Sequence, residues 1–299
     1  MTLGDPRGIG PEVVAKALGQ SPLEAHITAI GPDDQIAAIP AERRVGVGPW
    51  GWGTGDGGRG VEEAGRLAAR AVEEAARFAL GGEVDAIVTG PVNKAALHLA
   101  GYRYPGLTEL LAHLAGGAEV AMMLTTGPLR VVLVTTHVPL RAVADLVTME
   151  AVVRAGRLTR AALTRWWGLA EPRLAVCALN PHAGEAGLFG DEDDRVLRPA
   201  AVALGAAGPL PADTVFVRAL RGEFDAVLAP YHDVGMTAVK VAGFGRGVNV
   251  TLGLPFPRTA PDHGTALDIA GRGVADAGSM RAALELAVEL ARRNAARVG

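Results

Sequence analysis

The stretch Arg173–Glu185, "RLAVCALNPHAGE", decides how the rest of the chain is read. It opens on a continuous apolar run and ends on a proline, a histidine and a glycine. An alternating pattern would mark a strand with one face in water. A continuous run fits a strand buried on both faces. Four further runs share this character: residues 84–89 ("VDAIVT"), 130–136 ("RVVLVTT"), 225–229 ("DAVLA") and 247–252 ("GVNVTL"). Around them lie patterns with apolar residues at three- and four-residue spacing, over 61–80, 149–168, 192–205 and 279–297. That spacing predicts amphipathic helices, the first of them stopped by Gly81-Gly82. Strands alternating with helices predict an α/β fold with a largely parallel sheet. Residues 46–60, "GVGPWGWGTGDGGRG", read as an exposed glycine-rich loop.

Composition narrows the function. The 299 residues, 49% hydrophobic and 20% charged, leave room for one large domain or two ordinary ones. A net charge of −3 with no basic cluster argues against nucleic acid as a partner. The lone cysteine, Cys177, sits in an apolar run, which excludes a disulfide framework and predicts a reducing, cytoplasmic setting. No apolar run is long enough to predict a membrane span. The opening "MTLGDPRGIGPE" reads as a strand–turn–helix junction and not as a signal peptide. Because the strand ahead of Gly4 would hold only Met1, Thr2 and Leu3, residues upstream are expected. Of 29 basic residues only Lys16, Lys94 and Lys240 are lysine, so a compact ammonium is singled out at those positions.

Ligands of open parallel α/β sheets bind beyond the carboxyl ends of the strands. Those ends read "TGPVNK" (89–94), "TTHVPL" (135–140), "LNPHAGE" (179–185), "PYHD" (230–233) and "LGLPFPRTAPDHG" (252–264). Four histidines fall there: His137, His182, His232 and His263. Three imidazoles converging from strand ends would make a metal site with an open position, suited to zinc or a similar divalent ion. Position alone equally allows each to be a satisfied loop residue. Lys94, Lys240, Asn249 and Arg258 add donors for an anionic substrate at the same ends. "GDPRGIGPE" (4–12) places glycines and Pro11 at a helix start, where backbone N–H groups either hold an anion or merely shape a turn.

Taken in order, "GDPRGIGPE", "TGPVNK", "TTHVPL", "LNPHAGE", "GPLPADT", "YHD", "GFGRGVNVTLGLPF" and "DHGTALDIAGRG" resemble the 4-hydroxythreonine-4-phosphate dehydrogenase (PdxA) family, from residue 4 to about 280. The last segment is also similar to the cofactor loop of isopropylmalate and isocitrate dehydrogenases. The resemblance implies two α/β/α domains of that dehydrogenase type with the active site in the cleft between them. One would be residues 1–110 plus about 240–299, the other about 111–239. It implies a homodimer whose metal site draws ligands from both subunits, with His137, His182 and His232 as those ligands. It further implies Thr108, Lys240, Asn249 and Arg258 as substrate contacts and Asp233 with Lys240 as catalytic groups. NAD, or NADP, would lie on His263, Gly264, Thr265 and Asp268. Zinc is the implied metal, with magnesium or cobalt as alternatives. The implied reaction oxidises and decarboxylates 4-phosphooxy-threonine to 3-amino-2-oxopropyl phosphate for vitamin B6 synthesis.

The chain departs from the family pattern at Leu107, where a histidine is usual, at Val234, where a glutamine is usual, and at Ala260-Pro261. Leucine neither donates a hydrogen bond nor carries charge. That favours a related dehydrogenase acting on another 4-phosphorylated hydroxy acid, such as erythronate or threonate 4-phosphate. A metal-free phosphate acetyltransferase and a binding protein without turnover are the other classes an α/β chain of this kind allows.

Overall fold

A computed structural model describes residues 1–51, 57–243 and 245–298. The chain forms two compact units: Met1–Val120 with Leu254–Gly299, and Ala121–Gly253. In the first unit Thr2 bridges in parallel to Ile30 and Thr89. Helix α1 (Gly10–Leu18) follows, then β1 (Thr28–Gly31), the short α2 (Asp33–Ile36) and β2 (Arg43–Gly46), which pairs in parallel with β1. Helix α3 (Gly57–Leu80), β3 (Ile87–Val88), α4 (Lys94–Leu99) and α5 (Leu107–Leu114) complete this half.

The face that α3 buries is the one its spacing predicts: Ala64, Leu67, Ala68, Ala71, Val72, Ala75 and Phe78 are all at most 3% exposed. Gly65 lets α4 lie against it, since a Cβ there would meet the Ala96 carbonyl at 2.0 Å. The Asn93 side chain accepts from Ala96 N at 3.0 Å and starts α4. Burying Phe78 contributes about 2 kcal/mol, and the guanidiniums of Arg43 and Arg77 cap its ring, 4.5 and 4.4 Å from the centroid. The expected exposed loop at 46–60 is corrected in part. Gly46 ends β2, Trp50 is buried in the core of this unit, and residues 57–60 already belong to α3. Residues 52–56 of that loop lie outside the described ones.

The second unit holds, in chain order, β4 (Ala121–Thr126), β5 (Leu129–Leu133), α6 (Val143–Leu146), α7 (Met149–Trp167), β6 (Leu174–Cys177), α8 (Arg198–Leu204), β7 (Ala207–Leu210), α9 (Ala212–Leu220), β8 (Ala226–Ala229), α10 (His232–Ala242) and β9 (Val248–Leu252). Its strands run in the order β9-β4-β5-β8-β6-β7. The parallel pairs are β5–β8, β8–β6 and β6–β7, but β4 is antiparallel to both β5 and β9. The sheet is therefore mixed. The cause is a two-residue hairpin: Thr126 pairs with Leu129, and Gly127 takes φ 52° at the first turn position, which glycine adopts without strain. Helix α7 starts on Thr148, whose side chain accepts from Ala151 N at 3.2 Å, and ends on Gly168 at φ 76°. The helix expected over 192–205 is two pieces, a π-helical turn (Asp193–Leu197) running into α8.

The chain then returns to the first unit with β10 (Arg258–Pro261), parallel to β3, and α11 (Gly278–Val298). Thr259 Oγ1 donates to Ala283 O at 2.8 Å and Arg281 Nη1 to Ala17 O at 3.1 Å, tying α11 to β10 and α1. Among the described residues no helix is long and apolar enough to cross a membrane.

Candidate active site

The strand-end rule brings two of the three candidate ligand histidines together. In the second unit β5 and β8 pair in parallel and are sewn together beyond their ends. Val134 N donates to Ala229 O (2.9 Å), and both Thr135 N (3.2 Å) and Thr135 Oγ1 (2.8 Å) donate to Pro230 O. His137 leaves β5 two residues later, and His232 is the first residue of α10 after β8. Their rings lie 5.6 Å apart between centroids, inclined by 45°. Gly235 allows α10 to start this close, because a Cβ there would lie 2.7 Å from Leu133 Cδ2 and 3.1 Å from Ala229 Cβ. His232 Nδ1 lies 2.7 Å from Asp233 Oδ1. When Nδ1 carries the proton into that bond, the Nε2 lone pair faces away from the carboxylate, which is the state a metal requires.

His182 has a different setting. Its side chain is 63% exposed, and its Nδ1 lies 3.0 Å from Glu185 Oε2. It begins a left-handed helical turn: His182, Ala183, Gly184, Glu185 and Ala186 take φ between 43° and 82°. Four of these five are not glycine, and each costs about 1–2 kcal/mol in that region. Such a turn persists only where its surroundings hold it. The Asp193 carboxylate accepts Leu179 N (2.9 Å) and Asn180 N (3.0 Å), and Asn180 Nδ2 donates to Glu192 Oε2 (2.7 Å). His182 does not join the other two histidines: among the described residues of one chain, no group of three or more His, Cys, Asp or Glu is placed to hold a metal ion.

Two implied substrate residues also sit in this unit. Lys240 lies half-buried on the last turn of α10. Asn249 lies on β9, its Oδ1 buried with no hydrogen-bond partner among the described residues. Val234, one of the departures, packs against the core of this unit from α10.

The first unit carries the others. Arg258 opens β10 and is 5% exposed, with Nη2 donating to Thr89 Oγ1 at 2.5 Å. Burial pushes its guanidinium down to about 10, and the Glu109 carboxylate opposes that shift. Thr108 is buried on the first turn of α5, beside Glu109. Leu107 is 6% exposed and belongs to the apolar core of this unit, so its side chain serves packing. Thr89 and Glu109 were missed in the sequence, although both lie inside recognisable segments. A buried arginine needs polar neighbours, and that was the available signal.

The loop His263–Asp268 rests on the turn Asp5–Ile9. Ile9 N donates to Thr265 O at 2.9 Å, and Gly8 permits the approach, since a Cβ there would stand 2.7 Å from that carbonyl. Asp5 and Arg7 lock the turn from inside, at most 9% exposed, with Arg7 Nε 3.0 Å and Nη2 2.6 Å from the carboxylate. Of the two uses open to "GDPRGIGPE", the amide of Ile9 is thus engaged in shaping the loop. His263 Nδ1 faces Gly264 O at 3.0 Å, while its Nε2 is buried without a partner among the described residues. The open polar atom at Asn249 in one unit and that at His263 in the other each suit a ligand group that completes it.

Several known proteins similar to this chain over nearly its whole length carry dehydrogenase names. D-threonate 4-phosphate dehydrogenase of Salmonella typhimurium is 43% identical over 97% of this chain and 98% of its own length. 4-hydroxythreonine-4-phosphate dehydrogenase of Geobacter metallireducens is 44% identical over 98% and 95%. The crystal structure of the 4-hydroxythreonine-4-phosphate dehydrogenase of Klebsiella pneumoniae superposes with a TM-score of 0.86 at 40% identity, over 97% of this chain and 96% of that one. Residues 10–287 match the family described as Pyridoxal phosphate biosynthetic protein PdxA. The paired histidines beyond β5 and β8, the buried Arg258 and the braced 263–268 loop are therefore found in a chain that belongs to the PdxA family.

Proposed function

We propose that this chain is the NAD-dependent enzyme that oxidises the 3-hydroxyl of 4-phosphooxy-threonine and releases CO₂ to leave 3-amino-2-oxopropyl phosphate, in cytoplasmic pyridoxal phosphate synthesis. The observation that carries it is the His137–His232 pair, 5.6 Å apart at the ends of two adjacent parallel strands, with Asp233 on Nδ1 of His232. Two neutral imidazoles so placed suit a borderline divalent ion, zinc first, then cobalt or magnesium. The third ligand, His182, comes from a second copy of the chain, so the enzyme works as a homodimer. Its exposure and its absence from the pair within one chain favour that arrangement. When bound, the ion supplies Lewis-acid stabilisation of charge on the substrate's 3-oxygen, and NAD (or NADP) supplies the hydride acceptor.

The protein's own groups bind and orient. Arg258 offers a rigid planar fork and Lys240 a point charge to the phosphate and carboxylate. Thr108 and Asn249 add neutral hydrogen bonds. Asp233 holds the His232 tautomer, and with Lys240 it moves protons at the substrate oxygen. His263, Gly264, Thr265 and Asp268 line the adenosine end of the cofactor. The two units are α/β/α domains of the isocitrate dehydrogenase kind.

A second reading is a dehydrogenase for threonate or erythronate 4-phosphate. The burial of Leu107 in the apolar core favours it, since no polar group at that position is left to read a 2-amino substituent. The deciding assay is NADH formation by metal-loaded protein with 4-phosphooxy-threonine, beside erythronate and threonate 4-phosphates. Turnover of the amino acid supports the first reading, turnover of the others alone supports the second, and turnover of none sinks both.

A further inference from the structure

The left-handed turn at His182–Ala186 is built against local preference, and one buried carboxylate lies beneath it. Asp193 is 0% exposed. Its two oxygens take the amides of Leu179 (2.9 Å) and Asn180 (3.0 Å), which lead through Pro181 into the turn. Its Cβ lies 3.7 Å from where a Cβ of Gly184 would stand, so the turn rests directly on it. Asp193 is also the first residue of the π-helical turn that precedes α8, and its carbonyl accepts Arg198 N, five residues on. A wide turn of this kind commonly marks a functional constraint. Above it, Phe189 N returns to Gly184 O (3.1 Å) and Leu188 N to Glu185 O (3.2 Å), while Glu185 holds the His182 ring.

We propose that Asp193 is a positioning residue: its carboxylate holds the left-handed turn that sets where His182 points, and thereby sets metal affinity. The proposal rests on the reading of His182 as a ligand. Both carboxylate oxygens are needed, because each accepts from a different backbone amide. Asparagine of the same shape keeps one acceptor and turns an NH₂ toward the other amide. Orienting groups behind a metal ligand are typically worth about 10–100-fold in metal affinity.

The test is a Co²⁺ titration of the full chain, followed by visible absorption, together with amide hydrogen exchange over residues 179–190. Asp193→Asn is expected to keep its far-UV circular dichroism, to bind Co²⁺ about 10–100-fold more weakly, and to exchange the amides of Leu188 and Phe189 faster. Adding Ala183→Gly and Ala186→Gly to Asp193→Asn is expected to restore part of the affinity, because glycine takes positive φ freely. A purely structural carboxylate would not produce that recovery. Glu192→Ala, which removes the Asn180 tie and leaves both Asp193 contacts in place, is the second variant and is expected to shift both readouts the same way by less. A folded Asp193→Asn with wild-type Co²⁺ affinity and wild-type loop exchange overturns the proposal. Unchanged Co²⁺ binding by His182→Ala would instead overturn the ligand reading, and loop exchange in Asp193→Asn would then decide the positioning role alone.

Discussion

The hydroxyl and the amide of Thr135 both donate to the carbonyl of Pro230, joining the loop that carries His137 to the one that carries His232. Thr135→Val keeps the volume and removes one of these bonds. The expected loss is about 1 kcal/mol of stability, read from urea unfolding. Because the His137–His232 spacing depends on this stitch, divalent-metal affinity is expected to fall several-fold in the same variant. Stability that falls without any change in metal affinity would show that the two loops are held independently of it.

Gly8 is the point where the Asp5–Ile9 turn meets the 263–268 loop. A methyl group at Gly8 would stand 2.7 Å from the Thr265 carbonyl, a backbone atom with no rotamer to escape into. Gly8→Ala is expected to cost about 1–3 kcal/mol through this overpacking and to weaken NAD binding by roughly tenfold, or about 1.4 kcal/mol. Calorimetric titration of NAD against the variant checks it, and an unchanged Kd would remove the loop from the cofactor site.

Arg258 carries its charge at a cost, as burial pushes its guanidinium down to about 10. Removing one partner of a buried charge interaction is strongly destabilising, because the groups left behind lose their compensation, here the Glu109 carboxylate and the Thr89 hydroxyl. Arg258→Met is therefore expected to melt lower than the wild type without ligand, while kcat/KM for a phosphorylated substrate falls by about 100-fold or more, as for loss of a charge-assisted contact of about 3 kcal/mol. A wild-type kcat/KM would remove Arg258 from the substrate site.

Cys177 is buried, and burial, reinforced by the nearby Asp193 carboxylate, pushes its thiol from 9.0 up to about 12. The folded chain therefore holds this proton more tightly than the unfolded chain does. Stability is full below pH 9 and falls as the pH rises from there toward 12, by at most about 1.4 kcal/mol per pH unit. In the native protein at pH 8 the thiol is expected to resist alkylation, and in urea it is expected to react completely. Rapid labelling of the folded chain would contradict the packing around β6.

Much of this organisation is legible in the sequence. The α3 and α7 patterns repeat every three to four residues over about five turns, so one face was marked many times over. The runs at β6 and β8 are visible because each is apolar on both faces, whereas β5 and β9 carry polar residues on one face, Arg130 on β5 and Asn249 with Thr251 on β9. Direction is not visible, since a buried run reads the same in either sense. Only the Gly127-Pro128 link reports that β4 turns back on β5. Strands β7 (AGPL) and β10 (RTAP) are as short as β6 and β8, but glycine, proline, threonine and arginine break the apolar run that marks those two. At the site, His137 and His232 follow from their places after parallel strands. The conformation at His182 does not, because alanine and glutamate have no preference for positive φ. It is imposed by Asp193, eleven positions further along the chain.

That turn carries a consequence of handedness. Residues 182–186 trace a path that is ordinary for mirror-image amino acids and unfavourable for the natural ones. A chain assembled by chemical ligation with D-alanine at positions 183 and 186 would adopt it spontaneously. In such a protein the loop would hold its shape with or without the carboxylate beneath it, and the difference in melting temperature from the all-L chain would measure the chiral strain that the natural fold contains.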